Sequence, residues 1–241
     1  MDYGIQLYSI RDYCKENGLE AGIAKMAELG YKKIEFAGFY DHTAEEVVAM
    51  LKKYDVEVSS THSSLDDLVN NYEETVAFHK AIGNKLYIIP GYSTKNQQKL
   101  DYFVEKINEL QPKLEADGIT LAFHNHHREF LPNEDGGQAY DQLLYRTNIK
   151  LQIDMFWAFV GMKDPIALME KVKDRLISMH MKDGHPDGVG TPLGMGEAPV
   201  ADVYAKALEL GLPMVVESET QTPDGPTEAK ICIEYLKSLE K

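Results

Sequence analysis

Eight short runs rich in β-forming residues recur along the chain: Gly4–Tyr8, Lys33–Ala37, Val56–His62, Leu86–Pro90, Thr120–His124, Ile149–Asp154, Ile177–Met181 and Pro213–Glu217. Segments with helical spacing separate them. Asn17–Leu29 places Leu19, Ile23, Met26 and Ala27 on one face, and Gln98–Leu114 aligns Tyr102, Ile107, Leu110 and Leu114. Helical segments end on glycine just before the next strand, as at Gly30 and Gly211, where a left-handed residue turns the chain sharply back. Strict alternation of strand and helix implies parallel strands joined by helical crossovers. An open doubly wound sheet and a closed barrel both satisfy that pattern. The count of eight and the length of 241 residues predict an α/β (β/α)8 TIM barrel, one domain over residues 1–241. The first strand runs into Ser9-Ile10-Arg11-Asp12, without the glycines of a dinucleotide fold, and no phosphate-loop pattern occurs.

Side chains alternate faces along a strand. One parity is apolar: Ile5, Leu7, Ile34, Phe36, Leu121, Phe123, Leu151, Ile153, Ile177, Met179, Met214 and Val216. The other parity, which faces the barrel interior, is unusually polar. It carries Gln6, Tyr8, Glu35, Ser60, His62, Ala122, His124, His126, Gln152, Asp154, Ser178, His180, Lys182, Val215, Glu217 and Glu219. Branched apolar residues normally fill that space. Buried charge costs several kcal/mol unless it is paired or bound to metal. The polar residues come late in their strands, at the C-terminal mouth where barrel enzymes do chemistry.

Carboxylates with an imidazole suit one divalent cation such as manganese, magnesium, cobalt or zinc. Asp154, His180 and Glu217 end consecutive strands, whose spacing of about 4.8 Å one cation can bridge. Glu129 is the expected fourth ligand, with His124 and His126 in competition. Trp157 follows Asp154 by three residues and reads either as a wall for a sugar face or as packing. His42 and His79 read as surface residues. His185 lies in loop sequence, and the glycines of Leu193–Pro199 mark a turn near the mouth.

Composition narrows the partners. With 39 acidic against 25 basic residues, the formal charge is −14. That field repels phosphate backbones and anionic membranes, so neither nucleic acid nor membrane is an expected partner. Self-association into a homo-oligomer stays open. Cys14 and Cys232 have no metal or redox spacing. No apolar run approaches the ~18 residues of a membrane span. No basic stretch followed by an apolar one opens the chain, so the expected location is cytoplasmic. Strand-like sequence already begins at Tyr3, which leaves open a leader ahead of Met1.

The chain resembles the xylose isomerase-like TIM-barrel family of sugar phosphate isomerases and epimerases. The matching pieces are Gly4–Arg11, Ile34–Tyr40, Thr61–Ser64, Phe123–His126, Gln152–Asp154, Met179–Asp183 and Val216-Glu217. The resemblance implies a divalent metal, often manganese, held by two glutamates, an aspartate and a histidine. Asp154, His180 and Glu217 match three of these. Ketose 3-epimerases carry a glutamate about where this chain has His124, and His124-Asn125-His126 looks closer to the inosose dehydratase-like branch. The resemblance therefore implies a metal-dependent isomerase or epimerase of a sugar or keto-sugar, acting by proton abstraction beside a carbonyl through an ene-diolate. Dehydration of a keto-inositol or keto-glycoside is the second expectation, and a barrel that binds sugar without turnover the third. Glu217, Glu129, His126 and His62 are the expected acid–base groups. Gln6, Tyr8, His124, Trp157, Lys182 and Glu219 are the expected substrate contacts.

Overall fold

In the computed structural model, which describes residues 1–240, the alternating runs form the expected parallel strands. They are β1 (Gly4–Gln6), β2 (Lys33–Phe36), β3 (Glu57–His62), β4 (Leu86–Ile89), β5 (Thr120–His124), β6 (Lys150–Asp154) and β7 (Leu176–Met181). A small antiparallel ribbon follows, β8 (Asp183–Gly184) with β9 (Gly190–Thr191), and then the eighth barrel strand, β10 (Met214–Val216). The barrel closes in the order β1-β10-β7-β6-β5-β4-β3-β2. The chain is thus a single α/β domain with the closed eight-strand parallel barrel of a TIM fold.

Helices wrap the outside because one face of each is apolar. Leu19, Ile23 and Met26 in the helix Leu19–Leu29 are fully buried. Gly30 ends that helix at φ +98°, a conformation glycine adopts without cost. Thr43 and Glu46 cap each other's backbone at the start of Ala44–Tyr54, which fixes where the crossover begins. The apolar strand parity packs beneath the helices, with Ile5, Ile34, Phe36, Leu121, Phe123, Leu151, Ile153, Met179 and Val216 all buried. No described helix is long and apolar enough to cross a membrane.

Register sets the site. Gln6 pairs with Glu35, His124 with Gln152, Asp154 with His180, and His180 with Val215. The polar residues therefore stand in adjacent positions around the bore.

Three expectations are corrected here. Strand β1 stops at Gln6, whose side chain accepts a hydrogen bond from the Tyr8 amide at 3.1 Å and starts a 3-10 turn over Leu7–Ile10. Tyr8 thereby leaves the alternation and lies on the rim, 44% exposed, with the Arg11 guanidinium 4.4 Å from its ring centre. His79 is no surface residue. It is 3% exposed, with Nδ1 3.3 Å from Thr61 Oγ1 and 3.1 Å from Asn84 Nδ2. Its helix, Tyr72–Ala81, turns that face onto β3 and β4. Finally, β5 ends at His124, and the 3-10 turn His127–Phe130 follows, so the alternation past His124 does not extend as strand.

Candidate functional site

Glu35, fully buried on β2, anchors the interior. Its Oε1 accepts from Gln6 Nε2 at 2.9 Å and lies 2.6 Å from His180 Nε2. Its Oε2 accepts from Gln152 Nε2 at 2.7 Å and from the Ser60 hydroxyl. His62 Nε2 stands 3.1 Å from Oε1. Burial opposes charge on Glu35, but the neighbouring His62 and His180 outweigh it and hold the carboxyl at about 2.

The Gln152 amide fixes the histidine tautomers. Its NH2 end is committed to Glu35, so its carbonyl faces the imidazoles. His62 Nε2 and His124 Nδ1 reach that carbonyl at 2.8 and 3.1 Å. Both nitrogens must donate, which leaves His124 Nε2 with a free lone pair. Burial first, and the nearby His180 and His62 next, push His124 well below the usual histidine range. It is a neutral imidazole, the form that ligates metals.

His124, Asp154, His180 and Glu217 each offer a donor atom, and these four atoms lie within 4.8 Å of one another, all in buried residues. Asp154 divides its carboxylate. Oδ1 accepts from the Trp157 amide at 2.8 Å and caps the helix Met155–Val160. Oδ2 is buried with no hydrogen-bond partner, 4.0 Å from His180 Nδ1. An orphaned carboxylate oxygen beside two imidazoles and a second carboxylate is what a divalent cation would satisfy, so the donor set fits one. Two nitrogens and two carboxylates favour manganese, cobalt or zinc over magnesium.

Charge within the site agrees. His180 Nδ1 lies 3.1 Å from Glu217 Oε2. Burial would strip its proton, but Glu35 and Glu217 overcome burial and raise it to about 10. Burial raises Asp154, and neighbouring Glu217 raises it further against the pull of Lys182. Glu217 goes the other way, held down against burial by Lys182 and His180. The His180 imidazolium and the Lys182 ammonium thus stand against the Glu35, Asp154 and Glu217 carboxylates.

Lys182 completes the cluster. Buried just past β7, its Nζ lies 2.8 Å from Glu219 Oε2, 3.5 Å from Glu217 Oε2 and 4.7 Å from the Trp157 ring centre. The next residue secures it. The buried Asp183 carboxylate accepts the backbone amides of Gly184, Gly194, Gly196 and Ala198 at 2.8 to 3.2 Å, tying down the loop after the ribbon.

Of the expected ligands, the structure brings Asp154, His180 and Glu217 together and leaves Glu129 out of the group. Its Oε2 accepts the His126 amide at 2.8 Å, so the carboxylate closes its own 3-10 turn. His124 stands in its place. Glu129 is raised to about 7, chiefly by burial. His62 stacks on His180 at 5.1 Å between ring centres, and Gln6 lies behind Glu35. The His126 ring is 5.0 Å from His124 and 5.8 Å from Trp157, at the edge of the cluster. Tyr8 lies half exposed beneath the Arg11 guanidinium. Sequence alternation placed Glu35 and Gln152 inward without giving them a role, although the pairing of Gln152 with His124 is what fixes the imidazole.

Comparison with known proteins agrees with the fold and with the family signature. The chain is 24% identical over 195 residues to an inosose dehydratase of Clostridium perfringens (strain 13 / Type A), covering 71% of this chain and 66% of that protein, just under two thirds of its length. Among solved structures, a sugar phosphate isomerase/epimerase from Parabacteroides distasonis ATCC 8503 superposes with a TM-score of 0.85 at 21% identity, covering 97% of this chain and 96% of that one. A probable 3-DHS dehydratase from Bacillus anthracis gives 0.78 at 13% identity, covering 98% and 99%. The family model described as "Xylose isomerase-like TIM barrel" matches residues 23–239, nearly the whole chain. The polar bore, its late-strand acids and imidazoles and the match over the barrel lead to one assignment: the chain belongs to the xylose isomerase-like TIM barrel family.

Proposed function

We propose that the protein is a metal-dependent enzyme that removes a proton from the carbon beside a carbonyl of a sugar or keto-sugar, as an isomerase or epimerase. The single observation that carries this is the buried quartet His124, Asp154, His180 and Glu217, in which Asp154 Oδ2 has no hydrogen-bond partner. These four residues would hold the cation. When bound, a divalent ion polarises a carbonyl and stabilises the negative charge that proton loss creates.

The chain's own groups do the rest. Glu217, kept ionised by Lys182 and His180 against its burial, serves as the base. Lys182 stays protonated because Glu217, Asp154 and Glu219 outweigh its burial, so its ammonium can donate to a substrate oxygen. His62 and His126 are driven towards the neutral form by burial and offer hydrogen bonds to hydroxyls without adding charge. The names of the relatives, a sugar phosphate isomerase/epimerase and two dehydratases, both fit a reaction that begins with this proton transfer.

Dehydration is the second reading, favoured by Lys182. A fixed ammonium beside the base can protonate a departing hydroxyl. Incubating keto-sugars and keto-inositols in heavy water distinguishes the outcomes: deuterium at the α-carbon for isomerisation or epimerisation, an absorbing enone for dehydration. Glu217→Gln should suppress either by at least ~100-fold. Hydride transfer or phosphoester hydrolysis without exchange at carbon would overturn the proposal.

A further inference from the structure

Asp183 is 1% exposed, and its four hydrogen bonds all come from backbone amides. Oδ1 accepts from Gly184 at 2.8 Å and Ala198 at 3.2 Å, and Oδ2 from Gly194 at 2.9 Å and Gly196 at 3.0 Å. Burying a carboxylate costs several kcal/mol unless its oxygens are well satisfied. Four charge-assisted bonds converging from residues 184–198 satisfy it and make that segment a fixed cradle. Its glycines permit the close approach. A Cβ on Gly196 would overlap Asp183 Oδ1 and the Gly184 nitrogen, and one on Gly194, at φ +82°, would overlap the Tyr235 ring of the last helix, Gly225–Ser238.

The same segment backs the two rings beside Lys182. A Cβ on Gly184 would overlap the Phe156 ring, and one on Gly188 would stand 3.7 Å from Trp157 Cζ3. Lys182 Nζ lies 4.7 Å from the Trp157 ring centre and 5.9 Å from that of Phe156. A lysine side chain is a flexible stem with no preferred geometry at its tip. Its nearest ion-pair partner, Glu219, is 31% exposed and gives it no rigid seat. The rings, held by the ribbon β8–β9, supply the constraint.

We infer that Asp183 is a positioning residue: its carboxylate locks residues 184–198 into a rigid wall, and through Phe156 and Trp157 that wall sets where the Lys182 ammonium stands relative to Glu217. The effect on turnover rests on the reaction proposed above. The placement of Lys182 does not.

Two variants loosen the wall independently. Asp183→Asn keeps the size of the side chain and turns one acceptor into a donor facing amides. Gly196→Ala leaves the carboxylate intact and forces the loop away from it, so it carries the test if Asp183→Asn does not fold. Both are compared with the parent as manganese-loaded protein. Trp157, the only tryptophan, should become more open to quenching by acrylamide. Lys182, whose side chain is 1% exposed in the parent, should gain reductive methylation, mapped by peptide mass spectrometry. With a keto-sugar that the parent exchanges, kcat should fall roughly 10–100-fold while KM changes by less than about threefold, the pattern of a misplaced group rather than of lost binding. Manganese stoichiometry should be unchanged. Unaltered Trp157 quenching and a still-protected Lys182 in both variants overturn the inference, and so does full kcat in both. Loss of manganese together with activity overturns it too, because Asp183 would then support the barrel as a whole. Exposure of Trp157 and Lys182 in the variants of a protein that exchanges no keto-sugar would support the positioning while removing the proposed reaction. Exchange by the parent, with neither variant altered, would do the reverse.

Discussion

Asp154 gives one carboxylate oxygen to the Trp157 amide, 2.8 Å away, and keeps the other free in the barrel interior. The two oxygens can be tested apart. Asp154→Asn retains an oxygen for the helix cap and loses the ionised donor. Its unfolding free energy should stay within about 1 kcal/mol of the parent, the worth of a cap. Its affinity for manganese should fall by more than ~100-fold, beyond the loss from an outer-shell change. Calorimetric titration and urea unfolding measure both. Unchanged manganese affinity would remove Asp154 from the ligand set.

Glu35 acts behind His180. Its oxygen, 2.6 Å from Nε2, orients the ring and makes the opposite nitrogen a better donor. Glu35→Gln preserves hydrogen-bonding capacity and removes the charge. Metal affinity should drop about 10–100-fold while circular dichroism shows an intact barrel. An effect on turnover alone, at full metal occupancy, would place Glu35 in a different role.

Lys182→Met keeps the length of the side chain and deletes its ammonium. Proton exchange at carbon should fall at least ~100-fold with metal stoichiometry unaltered. Stability should also fall by about 3 kcal/mol, the low end for breaking a buried pair, because Glu219 remains 31% exposed and can turn to water. Normal exchange rates in the variant would assign the proton chemistry to other groups.

His79 makes stability depend on pH. Burial lowers it to about 4, against ~6.5 in the unfolded chain. The folded state therefore binds fewer protons between those values. Its contribution is complete above pH ~6.5, declines as the pH falls, and is gone below about 4. The difference is worth about 3 kcal/mol at 1.36 kcal/mol per unit. His79→Gln should lose less stability than the parent between pH 7 and 4.5, by roughly 2–3 kcal/mol in paired urea titrations. Parallel curves for the two proteins would count against this origin.

Strand alternation made Asp154, His180 and Glu217 legible, because a side chain in a regular strand has only two faces to choose from. The barrel followed from the same periodicity. Glu129 was not legible. Its position depends on where β5 stops, and the 3-10 turn that reclaims its carboxylate leaves no period in the sequence. Tyr8 failed for the same reason, since Gln6 ends β1 by bonding to the Tyr8 amide. His79 sits on a helix among acidic and basic neighbours, and only the tertiary contact with Thr61 and Asn84 turns it inward.

His180 spans the bore, touching Glu35 on β2 with one nitrogen and Glu217 beyond β10 with the other. Those two segments are not neighbours in the barrel wall, where β1 lies between them. One imidazole thus serves as a strut between separate staves. A variant selected only for heat resistance would gain by filling this space with leucine and isoleucine, as other barrels do. Here that route is closed, because the strut and the reactive groups are the same atoms. Improvement must come from the helices and their caps, and homologues adapted to different temperatures should differ there while their bores stay alike.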